Sequence, residues 1–148
     1  MSDTQAARTV LVRQGKFSPS PFEPCRFLGV EELQSIAALG GLFVDLKNDE
    51  DPKVLIPFFG AIDLIRIAFP SSADGRGFSL GQRLRRLGFK GTLRAHGDLI
   101  SDQYPMAIRT GFDELEISHK MAERQPEDQW LAAIPKLETY RSRLGLTG

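Results

Sequence analysis

Between residues 42 and 117, short apolar runs alternate with helical spacings, and this alternation leaves the chain few architectures. Leu42-Phe43-Val44-Asp45-Leu46, Asp63 to Phe69, Gly91 to Ala95 and Glu114 to Ile117 read as strands. Between them, Asp49-Glu50-Asp51-Pro52 opens a short helix reaching about Phe59. Leu80 to Leu87 reads as a helix closed by Gly88, and Asp102 to Arg109 as a helix closed by Gly111. Strands joined through helices imply right-handed crossovers and hence parallel pairing. Four strands are too few for a closed eight-stranded barrel. The expected fold is therefore α/β: a single domain with a mainly parallel sheet of about four strands, flavodoxin-like or half-barrel, plus an N-terminal arm.

The flanks are simpler. Residues 1–41 read as an arm and a short helix, with one strand-like run, Thr9 to Arg13, and prolines at positions 19, 21 and 24. This arm is an irregular segment or hairpin lying against the main body. Glu31 to Leu39 has amphipathic helical spacing and stops at Gly40-Gly41. After the βα core at 42–117, residues 118–148 supply a last helix, about Glu127 to Tyr140, which carries Trp130, Leu131 and Ile134 and meets a kink or break at Pro135.

Charge and residue counts exclude several classes. The 148 residues hold 19 basic and 19 acidic groups, a neutral balance unlike that of a polybasic nucleic-acid binder. The longest apolar stretch, Val54 to Phe69, is interrupted by Pro57, Gly60, Asp63 and Arg66, so no membrane span is expected. Met1-Ser2-Asp3-Thr4-Gln5 is not the start of a signal peptide, and the lone Cys25 makes no internal disulfide; the expected location is the cytoplasm. One cysteine and two histidines, His96 and His119, are too few for a protein-ligated iron–sulfur cluster or a structural zinc. Redox chemistry would need an organic cofactor or a partner protein.

Parallel sheets hold ligands beyond the carboxyl ends of their strands, which directs attention to residues 70–79, 96–101 and 118–122. In the first loop, Ser79 and Gln82 have capping-box spacing, so a helix should begin at Leu80 with its amides turned toward Arg76 between Gly75 and Gly77. A small oxyanion fits that description; so does a tight turn in which Asp74 bonds the loop amides. Gly75, Gly77 and Gly81 also approach a dinucleotide fingerprint, with Arg94 near the end of the next strand as a partner for a 2′-phosphate. An arginine inside a strand expected to be buried on both faces demands a counter-charge. Asp98 and Asp102 are the expected partners, either for Arg94 or for Arg76, and Ser101 is the expected N-cap. His96 stands where a strand delivers a side chain to the ligand edge, as a general base or as a satisfied surface histidine; His119 has weaker context, and Cys25 lacks a neighbouring histidine. Arg83, Arg85, Arg86 and Lys90 form a basic helical group, either solvated or a docking surface for an acidic partner.

The motifs along residues 63–117, namely Phe69-Pro70, Asp74-Gly75-Arg76-Gly77-Phe78-Ser79-Leu80, Gly91-Thr92-Leu93-Arg94-Ala95 with Gly97-Asp98, Asp102-Gln103 and Gly111-Phe112-Asp113, give the chain a specific likeness. It resembles a bacterial domain-of-unknown-function family labelled as an oxidoreductase of sulfite reduction and found beside assimilatory sulfite reductase genes. The resemblance implies an accessory protein of assimilatory sulfur metabolism that binds a small oxyanion or docks on sulfite reductase or another enzyme of that metabolism. It also implies that Asp74, Arg76, Arg94, Asp98, Asp102 and Gln103 form one site, at the carboxyl edge of the sheet. An NADP- or flavin-dependent oxidoreductase and a structural interaction module without a small ligand are the alternatives.

Overall fold

Val10, Val12, Val44, Leu46, Ile65, Ile67, Leu93, Ala95, Leu115 and Ile117 alternate along their strands and point to one face, where they join a single apolar cluster. The computed structural model that shows this describes residues 9–19, 27–33, 40–71 and 75–134. Seven strands form one sheet: β1 (Thr9–Arg13), β2 (Lys16–Pro19), β3 (Phe27–Leu28), β4 (Leu42–Leu46), β5 (Ile62–Phe69), β6 (Thr92–Gly97) and β7 (Glu114–Ser118). Their order is β2-β1-β7-β6-β5-β4-β3. From β3 to β7 every neighbouring pair is parallel. β1 joins β7 and β2 in antiparallel fashion.

The sheet is thus α/β and mainly parallel as expected, but it has seven strands rather than about four. The arm accounts for the difference. Thr9 to Arg13 does not lie against the body as an appendage; it is an interior strand of the sheet, second from one edge, hairpinned to β2 through Gln14 and Gly15, both in the left-handed region. β3 is too short to show a periodicity.

The strand order from β3 to β7 follows the chain without reversal. A flavodoxin-like sheet reverses its order and sends helices to both faces. Here the buried side chains of α1 (Val30–Leu33), α2 (Arg76–Arg86), α3 (Tyr104–Arg109), the 3₁₀ segment Pro52–Ala61 and the helical residues 127–134 all join the same cluster on one face. A 3₁₀ turn, Ser101–Gln103, leads into α3, and α4 spans His119–Arg124.

Three helix boundaries differ from expectation. α2 begins at Arg76, not Leu80, with Gly75 as its N-cap and no side-chain cap, so Ser79 sits inside the helix. Tertiary packing overrides the capping signal here. A Cβ at Gly77 would meet the Phe69 ring at 2.3 Å, and one at Gly81 would meet the Phe112 ring at 2.4 Å, so the bare glycines let α2 lie directly on these rings. The expected loop 118–122 is the start of α4, where the Ser118 hydroxyl accepts a hydrogen bond from the Met121 N–H. Ser101, the expected N-cap of α3, belongs to the 3₁₀ turn.

Elsewhere the polar groups fasten the layers. Arg85, one of the basic helical group, donates to the carbonyls of Phe89, Gly91 and Gly111 and to Asp113, tying α2 to the starts of β6 and β7. Trp130 is fully buried, edge-on to Tyr104, whose hydroxyl accepts the Gly15 N–H at 2.9 Å. The end of the expected first helix, to Leu39, and the expected last helix beyond residue 134 lie outside the described residues. No helix among the described residues is long and apolar enough to cross a membrane.

Candidate functional site

The face of the sheet opposite the helices carries charge where a buried parallel sheet would carry apolar side chains. Asp45, Arg66, Arg94 and Glu114 are register partners in turn across β4, β5, β6 and β7, so alternation sets them in one row. His96 and Glu116 form the next row toward the carboxyl edge.

Adjacent arginines in neighbouring strands repel unless carboxylates separate them. Arg66 makes a two-pronged pair with Asp45, at 2.7 and 2.9 Å, and reaches Glu116 at 3.2 Å. Arg94 donates to Glu114 at 2.6 Å and to Glu116 at 3.1 Å. Arg13 binds the other oxygen of Glu114, and the Thr9 hydroxyl donates to Glu116 at 2.9 Å. Glu116 is therefore the hub, held by side chains from β1, β5 and β6. The Phe27 ring lies over the Arg66 guanidinium, 3.7 Å from ring centre to carbon.

Burial opposes the charge on Glu116, but Arg66, the Thr9 hydroxyl and Arg94 outweigh it and hold the carboxyl below its usual range. Burial likewise opposes the charge on Arg66, and Asp45 and Glu116 more than restore it. His96 behaves oppositely. Burial first, then the positive charges of Arg66 and Arg94, outweigh the nearby carboxylates and lower its pKa, so its imidazole is neutral at pH 7.

A second feature lies on the carboxyl side of the sheet. The N-terminal turns of α2 and the stretch from Asp102 to Thr110, which includes α3, border an open depression of about 470 Å³, lined by Gly75, Phe78, Ser79, Gln82, Asp102, Gln103, Met106 and Thr110. Asp102 also borders a neighbouring depression of about 290 Å³, lined by Ser101, Pro105, Gln129, Ala132 and Ala133.

The residues expected to form one site are thus divided. Gly75, Ser79, Asp102 and Gln103 meet around the larger depression, with the Gln103 side-chain oxygen accepting the Ile100 N–H. Arg94 turns to the opposite face, and the carboxylates that neutralise it are Glu114 and Glu116 rather than Asp98 or Asp102. Arg76 is exposed on the first turn of α2, and Gly77 is buried against Phe69. Asp98 is exposed just past β6, its N–H donating to the Phe69 carbonyl at 3.0 Å. His119 is exposed at the start of α4. Asp74 and Cys25 lie outside the described residues.

Asp45, Arg66, Glu114 and Glu116 were absent from the expected site. For Asp45, Arg66 and Glu116 the signal is a charged residue placed between apolar ones, the same anomaly that singled out Arg94; Glu114 follows Asp113 and carries no such signal. Among the described residues, no group of three or more histidine, cysteine, aspartate and glutamate side chains is placed to hold a metal ion.

The chain belongs to the family described as bacterial protein of unknown function (DUF934), whose model matches residues 43–142. The match takes in β4 to β7, and with them Asp45, Arg66, Arg94, Glu114, Glu116 and both depressions. No curated protein and no solved structure matches the chain.

Proposed function

We propose that this chain is an accessory protein of assimilatory sulfur metabolism that acts in the cytoplasm by docking on sulfite reductase. The sulfur assignment is supported by the resemblance across residues 63–117, the stretch that builds β5 to β7 with α2 and α3. Such a protein has two modes of action open to it, holding a small oxyanion or docking.

The observation that carries docking is the charge pairing on the sheet face opposite the helices. Arg13, Arg66 and Arg94 meet Asp45, Glu114 and Glu116, one cation for each carboxylate. An oxyanion entering there adds a negative charge that nothing offsets. The depressions on the other side do not favour an oxyanion either, because among the described residues the charged one lining them is the carboxylate of Asp102. Gly77 and Gly81, which suggested a dinucleotide turn, are accounted for by their contact with Phe69 and Phe112.

A strain lacking the gene should grow on cysteine but poorly on sulfate, and the purified protein should bind sulfite reductase while giving no heat on titration with sulfite. Normal growth on sulfate, in a strain without a second copy, removes the sulfur assignment. A yellow protein or tight NADP binding replaces docking with redox catalysis.

A further inference from the structure

Asp102 borders both depressions and, among the described residues, is the only charged one lining either of them. Its side chain is exposed, and among the described residues its carboxylate has neither an ion pair nor a hydrogen bond. Most other carboxylates close to this sheet are engaged: Asp45, Glu114 and Glu116 by arginines on the face opposite the helices, and Asp113 by Arg85.

Apolar side chains stand among polar ones on both sides of Asp102. Phe78 and Met106 line the larger depression; Pro105, Ala132 and Ala133 line the smaller. Met106 is 42% exposed, one of the few large apolar side chains so placed. Both depressions are open to solvent, whereas a small-molecule site encloses most of its ligand. Two shallow hollows, each with apolar side chains beside hydrogen-bonding ones, flank one carboxylate and suit an extended occupant with a matching charge in its middle.

We propose that the depressions flanking Asp102 form one docking groove for a protein segment that presents a lysine or arginine between apolar side chains. The apolar neighbours fill the hollows and supply the affinity, while the cation on Asp102 sets the register and speeds encounter. The proposal rests on the docking reading above and names the surface that performs it.

Binding of the full chain to immobilised sulfite reductase, measured by interferometry at low and high salt, tests both levels. Wild-type protein should bind, with affinity falling as salt rises. Asp102→Lys and Met106→Glu should each weaken binding by about tenfold or more, and Asp102→Asn should remove most of the salt dependence. Both positions are exposed, and unchanged circular dichroism and melting confirm that the variants fold. If wild type binds and the variants bind equally well, the groove is wrong and docking stands. If wild type does not bind at all, the docking reading falls and the groove falls with it. If light scattering finds a dimer that Met106→Glu splits, the occupant is a second copy of this chain and the assignment to another protein is overturned.

Discussion

Replacing Arg94 with methionine strikes the charged row at its most buried point. The Arg94 side chain is 9% exposed and that of Glu114 is 2% exposed. Methionine keeps an unbranched apolar stem and removes the donors to Glu114 and Glu116. Breaking a buried pair costs about 3–5 kcal/mol, because the surviving charge is left without a partner. Here both survivors keep other donors: Glu114 retains Arg13, whose side chain is 60% exposed, and Glu116 retains Arg66 and Thr9. The expected loss at neutral pH is therefore at the lower end, about 3 kcal/mol, or roughly 6–12 °C in Tm for a chain of this size.

The pH dependence supplies an independent check. Burial raises the cost of ionising Glu116, yet Arg66, Thr9 and Arg94 hold its folded pKa below the unfolded value. Its contribution is thus fully present above the unfolded pKa and is lost as pH falls through the folded one. Wild-type stability should fall below about pH 5, and the Arg94→Met protein should lose less over the same interval. The gap between the two must narrow toward acid. Urea titrations followed by the fluorescence of Trp130, the single tryptophan and fully buried, report both quantities. A gap below about 1 kcal/mol at neutral pH, or one that stays constant into acid, refutes Arg94 as a buried counter-ion.

Gly97→Ala should lower stability by at least about 2 kcal/mol in thermal melts. The residue has φ +130, and a Cβ there would sit 2.1 Å from the Phe69 carbonyl oxygen; a variant as stable as wild type would show that the end of β6 can move away. His96 should titrate below the ordinary histidine value, since burial and then Arg66 and Arg94 disfavour its charge. With its folded pKa lowered, neutral His96 contributes stability that is present above about pH 6.5 and lost as pH falls below it. A proton NMR titration of the ring with a midpoint at or above the ordinary value contradicts that electrostatic account.

The strands that carry the site were legible because each has strong alternation. Thr9 to Arg13, Leu42 to Leu46 and the run ending at Phe69 emerge with bounds equal or close to those read from residue pattern. Arg94 was also legible as a charge in need of a partner. Its partners were not, because the choice rested on nearness in sequence. Asp98 and Asp102 follow it closely along the chain, whereas Glu114 becomes its neighbour only when β7 pairs beside β6. The assumption that both sheet faces are apolar hid the row further. With the helices on one face, Asp45, Arg66 and Glu116 are free to be charged at positions that a doubly covered sheet would fill with valine or isoleucine. The start of α2 was misplaced for a related reason: the space that Phe69 and Phe112 leave for Gly77 and Gly81 is a tertiary fact, invisible in a local capping pattern.

The antiparallel pairing of β1 with β7 has a consequence for how the chain is made. Leu11 lies opposite Glu116. A ribosome adds about 5–20 residues per second, so the first strand emerges roughly 5–20 s before the one it pairs with has been polymerised. Through that interval β3 to β6 can assemble in the order in which they appear, each on the edge left by the strand before. Arg13 and Thr9 wait in solution with Val10 and Val12 unprotected, and the hairpin joins the sheet last. Until it does, Glu114 and Glu116 lack two of their donors and the growing edge stays open, making the nascent chain most vulnerable to mispairing just before its final strand is complete.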